Sequence, residues 1–554
     1  MQGWSLTRRQ FLQFVGATAV VSPGHRANAS WLVSRSSRHP TVTTPLLDGV
    51  GLESVRVSQE DSLVVPDGFE AEVLIRQGDR LNRSGDRYGD HNDYLAMIVD
   101  GRNAGWVWVN HEGVTLPVVT GAWKPPLTEQ QAADCLRNMG GSAIRIARAA
   151  DHRWRPVLPH RRNFRLNGLD SILEMTGPAA SSSWVHGARW VTGSTSNCGG
   201  GVTPWGSVCS GEENFQDIWG DPEMGDRPLV PMPDALRRPA EHFGYIVEVD
   251  LEKRRFFKHT ALGRFSHENI AFQLTLDGRL AAYMGDDRDK QCLYKFISRE
   301  QYRAAAGTKN RQLLTDGTLF VANMARGLWV ALDPAVQPVL RREGFDAARV
   351  AVQTRTASSL CGGTPLPRPE DVEVHPETGD VYVALTSWER ERREHGEKYF
   401  GEMAGALGRL REVNGDAGAR EFEWDIFVAG SRESGLAWPD NLTWADPDHL
   451  LVTTDYVQKA TPIENSPQAI SGNNHLLLIP TVGPRAGQPI RFAVAPRGAE
   501  FCSPCLTPDR GELWVNVQHP GDNSPGPESW TSHWPDGGDA LPRSAMVALR
   551  RVAG

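Results

Sequence analysis

The chain has 554 residues, with 59 Lys and Arg against 67 Asp and Glu and a formal charge of −8. An acidic balance with no basic tract argues against nucleic acid or an anionic membrane surface as partner, and no run past residue 29 approaches the ~18 apolar residues of a membrane span. Seven cysteines are too few to staple so long a chain, while 55 Gly, 37 Pro and 18 Trp suit many short strands and tight turns better than long helices.

Residues 1–29 read as an export signal. Arg8 and Arg9 precede Phe11 and Leu12, an apolar run follows from Phe14 to Val21, and Ala27, Asn28 and Ala29 supply a small-residue cleavage site before Ser30. This is the twin-arginine type of signal, so the twin-arginine translocase is the expected partner during export and the periplasm or extracellular space the expected destination. Loss of Arg8, Arg9 and Arg26 takes the mature chain, 30–554, to −11. It is expected to form a single domain, because one closed ring of sheets accommodates this length.

Between 91 and 113, HNDYLAMI and VWVNHEG set Asn92, Asp93, Asn110, His111 and Glu112 beside apolar strands, where turn and structural roles are the first reading and a contribution to a site from the first repeat is the second. EQQAADCLRNM, 129–139, fits a short peripheral helix. In NCGGGVTPWGSVCSGEEN, 197–214, a thiol stands before three glycines, and two carboxylates, Glu212 and Glu213, end a strand. Glycines admit a close approach to Cys198. A thiolate with carboxylates and no His cluster favours a ferric or mixed-metal site over zinc, although a buried cysteine beside a glycine turn is also common packing.

The stretch RFSHENIAFQLTLDGRLAAYMGDD, 264–287, sets a plan that recurs along the chain. A polar pair, Glu268 and Asn269, leads a short alternating strand; Leu276, Asp277 and Gly278 make the turn; a second strand ends in Asp286 and Asp287. Two apolar runs around Asp-Gly mark a hairpin. RPEDVEVHPETGDVYVALT (368–386), WPDNLTWADPDHLLVTTD (438–455) and FCSPCLTPDRGELWVNVQH (501–519) repeat the plan, and VDGRNAGWVWVNHE (99–112) keeps its turn and second strand.

Repeated strand-turn-strand units predict an all-β fold, a β-propeller, with six blades the expected count and loop and short-helix insertions between them. If the first strand of each unit lies innermost, the pairs Glu268/Asn269, Glu370/Asp371 and Asp440/Asn441 converge on one mouth of the channel. Several carboxylates do not share such a site in ionised form without cations, and this predicts metal. Cys502 and Cys505 form a CxxC, the pattern of a redox pair or of half a zinc site; with no second such pair and no His pair beside it, a structural role is the first reading.

Taken together, the export signal, NCGGGVTPWGSVCSGEEN, FGYIVEVD, GRFSHENIAF, AAYMGDD, YKFIS, RPEDVEVHPETGDVYVALT, PDNL and LTPDRGELWVNVQHPGD resemble the PhoX family of secreted alkaline phosphatases. The resemblance covers most of the mature chain in the same order. It implies a propeller with a cluster of Fe3+ and Ca2+ at one end of the channel, hydrolysing phosphate esters outside the cytoplasm. By motif, it implies Cys198 as thiolate ligand to iron, Glu213 as a carboxylate ligand, and Glu268, Asp287 and Glu370 as further ligands to iron or calcium. Asp440, with Asn441 and Glu373, would complete the calcium side, since hard cations prefer oxygen. Arg368 resembles the family's phosphate-binding arginine, its planar fork matching a tetrahedral oxyanion, with Glu370 beside it in the catalytic group.

The departures from the family pattern are Cys209-Ser210-Gly211, which sets a second cysteine near the site, the Arg- and Glu-rich loop 389–421, and the Ser/Pro/Gly-rich stretch 520–540. The implied reaction is metal-assisted hydrolysis of a small-molecule phosphate monoester, possible also for some diesters. It needs no protein nucleophile, and the chain has no GxSxG, P-loop or HExxH motif. Two other classes stay open: another calcium-dependent propeller hydrolase of lactonase or phytase type, which lacks a cysteine ligand, and a secreted propeller that only binds. A closed propeller needs no partner to cover its edges, and a monomer is expected.

Overall fold

The computed structural model describes residues 44–47, 53–387, 404–462 and 466–552. The export signal at 1–29 and residues 389–403 of the Arg- and Glu-rich loop lie outside the described residues. Six antiparallel-based sheets follow one another around a ring.

Blade 1 is built from Asn92–Gly101, Ala104–His111, Gly140–Arg148 and Trp154–Pro156, and blade 2 from Asn197–Val202, Val208–Glu212, Ile246–Asp250 and Arg255–His259. Blade 2 is widened by Ile172–Thr176, which pairs in parallel with Arg255–His259, and by Trp190–Thr192. Blade 3 holds Ala271–Leu274, Arg279–Gly285, Leu293–Gln301, Gly317–Asn323 and Leu328–Ala331. Blade 4 holds Pro369–Val374, Val381–Leu385, Ala406–Glu412 and Phe422–Ala429; blade 5 holds Pro439–Asp446, His449–Thr454, His475–Pro480 and Ile490–Val494. Blade 6 takes Glu500–Leu506, Glu512–Gln518 and Ala545–Arg551 from the end of the chain, and its outer strand, Phe69–Arg76, from the beginning. That pairing of first strand with last closes the ring and leaves the sheet order without a gap.

The apolar residues lie between blades. Ile246, Ile270 and Leu280 pack in one cluster between blades 2 and 3; Tyr283, Val372 and Val383 lie between blades 3 and 4; Val109, Trp514 and Met546 join blades 1 and 6. Each strand alternates sides, so both faces of a blade are apolar and each is covered by a neighbour. The sequence expected Cys209 near the site. Its strand instead points Cys209 into the core between blades 2 and 3, where it is fully buried among Ile246, Phe265 and Tyr294.

Helices are short additions. Glu129–Asn138 begins in a capping box between Thr128 and Gln131. Thr354–Leu360 is the helix that matters for the site, because it carries Arg355. Among the described residues no helix is long and apolar enough to cross a membrane.

Candidate metal and active site

The first strand of every blade lies innermost, and near its start the pairing register slips by one residue. In blade 4, Pro369 faces Leu385 and Val372 faces Val383, so Glu370 and Asp371 together oppose Ala384. The same two-against-one count sets Asp93 and Tyr94 opposite Asn110, Cys198 and Gly199 opposite Gly211, and Asp440 and Asn441 opposite Thr453. Blade 3 has one extra residue between the His267–Asp286 bridge and the Ala271–Tyr283 pair, and blade 6 has its extra residue just after Cys502. A bulge of this kind re-aims consecutive side chains. Here it is repeated in all six blades. His91, Ser196, Arg368 and Trp438, each two residues ahead, take left-handed backbone with φ of 41, 54, 50 and 43°.

The bulges produce a ring of Asp93, Cys198, Glu268, Glu370, Asp440 and Cys502, one from each blade, each at most 8% exposed. Their ligand-type atoms gather in overlapping groups within 4.8 Å: Cys198, Glu213 and Glu268; Glu268, Glu370 and Asp440; Asp93, Glu112 and Cys198; Asp93, Glu500 and Cys502. By register, the second strands add an outer ring of Glu112, Glu213, Asp287, Thr386, Asp455 and Gln518.

In blades 3, 4 and 5 the residue after the ring position fastens one blade to the next. Asn269 donates to Val372 O at 2.9 Å and accepts from Val372 N at 3.0 Å. Asp371 accepts from Leu442 N at 2.8 Å, and Asn441 Oδ1 accepts from Ser503 N at 2.7 Å. Between blades 1 and 2 the latch is Asn110, whose Nδ2 donates to the carbonyls of Cys198 and Gly199 at 2.6 and 2.9 Å. Blades 2 and 3 use glycine: a Cβ at Gly199 would sit 2.3 Å from Glu268 O, so the strand carrying Cys198 closes on the strand carrying Glu268 only without a side chain there.

Of the sequence-predicted residues, Cys198, Glu213, Glu268, Glu370 and Asp440 come together directly. Asp287 lies among them: its two oxygens accept from Arg368 Nε and Nη2 at 2.9 and 2.5 Å, while Arg368 also reaches Glu370 Oε1 at 2.9 Å. Asn441 is present at the mouth, but its oxygen is committed to Ser503 N and its Nδ2 faces Glu268 at 3.2 Å and Asp440 at 3.3 Å. Glu373 lies further along the strand, past the bulge, where Asp371 and Tyr94 feel its charge, and it joins none of the ligand groups found among the described residues.

Sequence reasoning passed over Glu500, and for Asp93, Glu112 and Cys502 it preferred a structural role to a place at the channel mouth or in a metal site. The signal was present. Asp93 leads Leu95 to Ile98 as Glu370 leads Val372 to Val374, and Cys502 occupies in its unit the place of Glu370.

The electrostatics are those of a site built for cations. Burial first, then Asp287, pushes the Glu213 carboxyl well up. Burial and Glu370 do so for Glu268, and burial and Glu268 for Asp440. Burial likewise raises Glu370 against the pull of Arg368, and burial with Glu112 pushes Asp93 up to about 7. Only Asp287 moves down: burial would raise it, but the charge and hydrogen bonds of Arg368 outweigh that cost. Cys198 donates to Asp93 Oδ2 at 3.2 Å, and burial together with Asp93 holds its thiol well above the usual range.

Buried oxygens Asp93 Oδ1, Asp371 Oδ1 and Glu500 Oε2 have no hydrogen-bond partner. Protons or cations must satisfy such a set, and oxygen donors flanking a thiol fit a mixture of hard and borderline metals.

Ion pairs underneath hold the site still. Arg355 grips Asp286 through Nε at 2.8 Å and Nη2 at 2.6 Å, and reaches Asp221 at 2.7 Å. Asp286 therefore anchors the end of the strand that presents Asp287. Lys258 Nζ donates to Glu212 at 2.7 Å with both side chains fully buried, which fixes the strand end before Glu213.

Comparison with known proteins identifies the family and the fold. Residues 50–521 match the family described as "Alkaline phosphatase PhoX". Pseudomonas fluorescens PhoX, solved in complex with vanadate as a transition state analogue, is 28% identical, covers 90% of this chain and 97% of its own, and superposes with a TM-score of 0.79. A Xanthomonas campestris gluconolactonase, XC5397, is 8% identical over 90% of this chain and 99% of its own, with a TM-score of only 0.34. Among curated proteins no sequence matches. With the family match spanning most of its length, the chain belongs to the PhoX alkaline phosphatases and is an enzyme of that class.

Proposed function

We propose that this enzyme, exported by the twin-arginine route and working as a monomer in the periplasm or outside the cell, hydrolyses phosphate monoesters, and some diesters, with a cluster of ferric iron and calcium. The observation that carries the reading is the convergence of Cys198, Glu213, Glu268, Glu370 and Asp440 from four blades onto one buried mouth, with Arg368 and Asp287 at its side.

Cys198 and Glu213 would hold the iron side; Glu268, bridging two groups, would join it to the calcium side formed with Glu370 and Asp440. When bound, such cations neutralise phosphoryl oxygens and the charge that develops in displacement. Arg368 supplies the protein's own cation. Asp287 and Glu370 hold its Nε–Nη2 edge, which leaves the two N–H groups of Nη1 as the donors that would meet a phosphate oxygen. Thr386 fixes Glu370 by donating from Oγ1 to Oε1 at 2.8 Å, so the fork and the carboxylate move as one. A cleft lined by Val114, Met139, Ile218 and Met232 opens beside Glu112 and Asn214 and would take the organic part of the ester.

The test is elemental analysis of the exported protein beside hydrolysis of p-nitrophenyl phosphate and bis-p-nitrophenyl phosphate, with and without chelator. Iron and calcium in the active fraction, chelator-sensitive turnover, and loss of iron in Cys198→Ser are expected. Full turnover by metal-free protein would overturn the reading, and retention of activity without iron in Cys198→Ser would favour an all-oxygen calcium site.

A further inference from the structure

The Cys502 side of the mouth takes no part in the iron and calcium groups assigned above to ester hydrolysis. Cys502, Asp93 and Glu500 bring a sulfur and two carboxylate oxygens within 4.8 Å of one another. The three side chains are 0, 2 and 5% exposed.

Neither Asp93 Oδ1 nor Glu500 Oε2 meets a hydrogen-bond donor by distance and angle, though both are buried; the side chains beside them are Cys502 for Asp93 and Asp455 for Glu500. The other oxygen of Glu500 is held twice, accepting from Gln518 Nε2 at 2.8 Å and meeting His519 Nε2 at 3.1 Å. His519 is itself set by Nδ1 against Gly498 O at 3.2 Å. Fixing one carboxylate oxygen while leaving the second bare is how an outer shell orients a metal ligand. A thiol packed only for its volume would not need two unsatisfied carboxylate oxygens beside it, whose burial without a partner is costly. Asp93 belongs also to the group with Glu112 and Cys198, so its carboxylate lies between the two sulfurs.

We propose that Asp93, Glu500 and Cys502 form a second thiolate-bearing cation site, taking a transition metal of the iron or zinc class and not calcium, with Asp93 as the carboxylate shared with the Cys198 side. The inference rests on the reading of the mouth as a metal cluster and adds a ligand set to it. Sulfur selects against calcium and magnesium, which take oxygen, so this corner differs chemically from the group of Glu268, Glu370 and Asp440.

The experiment uses the exported holoenzyme. X-ray absorption at the metal edges and the sulfur edge, with elemental analysis, is recorded for wild type, Cys198→Ser and Cys502→Ser. Two metal–thiolate contacts at ~2.3 Å are expected in wild type. Cys502→Ser should lose one of them and about one equivalent of transition metal, with calcium unchanged, and Cys198→Ser should keep the Cys502 signal.

A wild-type spectrum with one thiolate that vanishes in Cys198→Ser overturns the inference, whether or not Cys502→Ser folds, and leaves the phosphatase reading standing. Unchanged metal and sulfur signals in a folded Cys502→Ser overturn it also. Failure of the phosphatase reading shows elsewhere, as undiminished ester hydrolysis by variants of Arg368 and Glu370 with the Cys502 signal intact.

Discussion

Replacing Arg368 by lysine keeps the charge and removes the fork, and so tests whether geometry or charge is what the site uses. The guanidinium makes contacts of 2.9 and 2.5 Å to Asp287 and 2.9 Å to Glu370, with its side chain 15% exposed. A lysine ammonium, as a point charge on a flexible stem, reproduces one of these at most. Hydrogen bonds to charged groups contribute ~1.5–3 kcal/mol each. Losing one of them in the transition state corresponds to roughly 1.5–3 kcal/mol, and at 1.36 kcal/mol per decade to a ~10- to 160-fold fall in kcat/KM. The assay is p-nitrophenyl phosphate hydrolysis together with inhibition by vanadate, whose affinity should fall in parallel, because the fork is needed most where phosphoryl geometry changes. Backbone strain is not altered: φ of 50° at Arg368 is as unfavourable for lysine as for arginine. Arg368→Lys with unchanged iron and calcium and with kcat/KM and vanadate affinity within threefold of wild type would refute the role of the fork.

Thr386→Val removes the hydroxyl that joins Glu370 Oε1 to Pro439 O at 2.8 and 2.7 Å; a loss of ~1–2 kcal/mol, read as a roughly 5- to 30-fold drop in kcat/KM with metal content retained, is expected. Lys258→Met leaves Glu212 buried without its cation, and urea unfolding should show a loss of ~3–5 kcal/mol. His475, in blade 5 and 1% exposed, has its pKa lowered to about 3 by burial and then by Arg491. The folded state therefore binds fewer protons than the unfolded one between about 3 and 6.5, and stability falls as pH drops through that window, by up to ~5 kcal/mol. Thermal unfolding of His475→Gln should show a shallower loss between pH 7 and pH 4, and an unchanged slope would rule this residue out.

The fold was legible because hairpin chemistry is local. The Asp277-Gly278 turn and the strand pairs at 368–386, 438–455 and 501–519 appear in the structure where the pattern predicts them, and the leading pairs with Glu268, Glu370 and Asp440 converge as expected. What stayed hidden is the bulge. A chain of alternating residues gives no sign that Glu370 and Asp371 both oppose Ala384, so the division of labour within each polar pair, one residue turned to the ligand cluster and the next latched to the following blade, was invisible. Asn441 shows the same division: in the sequence it differs little from Asp440, while in the fold its oxygen accepts from Ser503 N. Asp93 and Cys502 were set aside for a different reason. The residues that follow them, Tyr94 and Ser503, are neither acid nor amide, so neither position shows the acid–acid or acid–amide pair that marks blades 3 to 5.

The two sides of the mouth differ in how they are held, and that difference has a measurable consequence. Glu268, Glu370 and Asp440 come from blades 3, 4 and 5, which are consecutive along the chain and are latched by Asn269 and Asp371. Asp93 and Cys502 come from blades 1 and 6, the first and last along the chain, and these are brought together when Phe69–Arg76 pairs with Ala545–Arg551 and the core of Val109, Trp514 and Met546 forms. Mutual repulsion of buried carboxylates without cations opposes every contact in the ring, but it should open the ring where the closure is not covalent. After chelation, amide exchange in Phe69–Arg76 and Ala545–Arg551 should rise at least ~10-fold more than in Arg279–Gly285 or Val381–Leu385, a difference of ~1.4 kcal/mol in local opening. Readdition of calcium alone should restore less of this protection than calcium with iron, because sulfur from Cys198 and Cys502 borders Asp93 on the closing side. Uniform deprotection of all six blades, or greater exchange in blades 3 to 5, would mean that the cations stabilise the ring as a whole and that its seam has no special dependence on them.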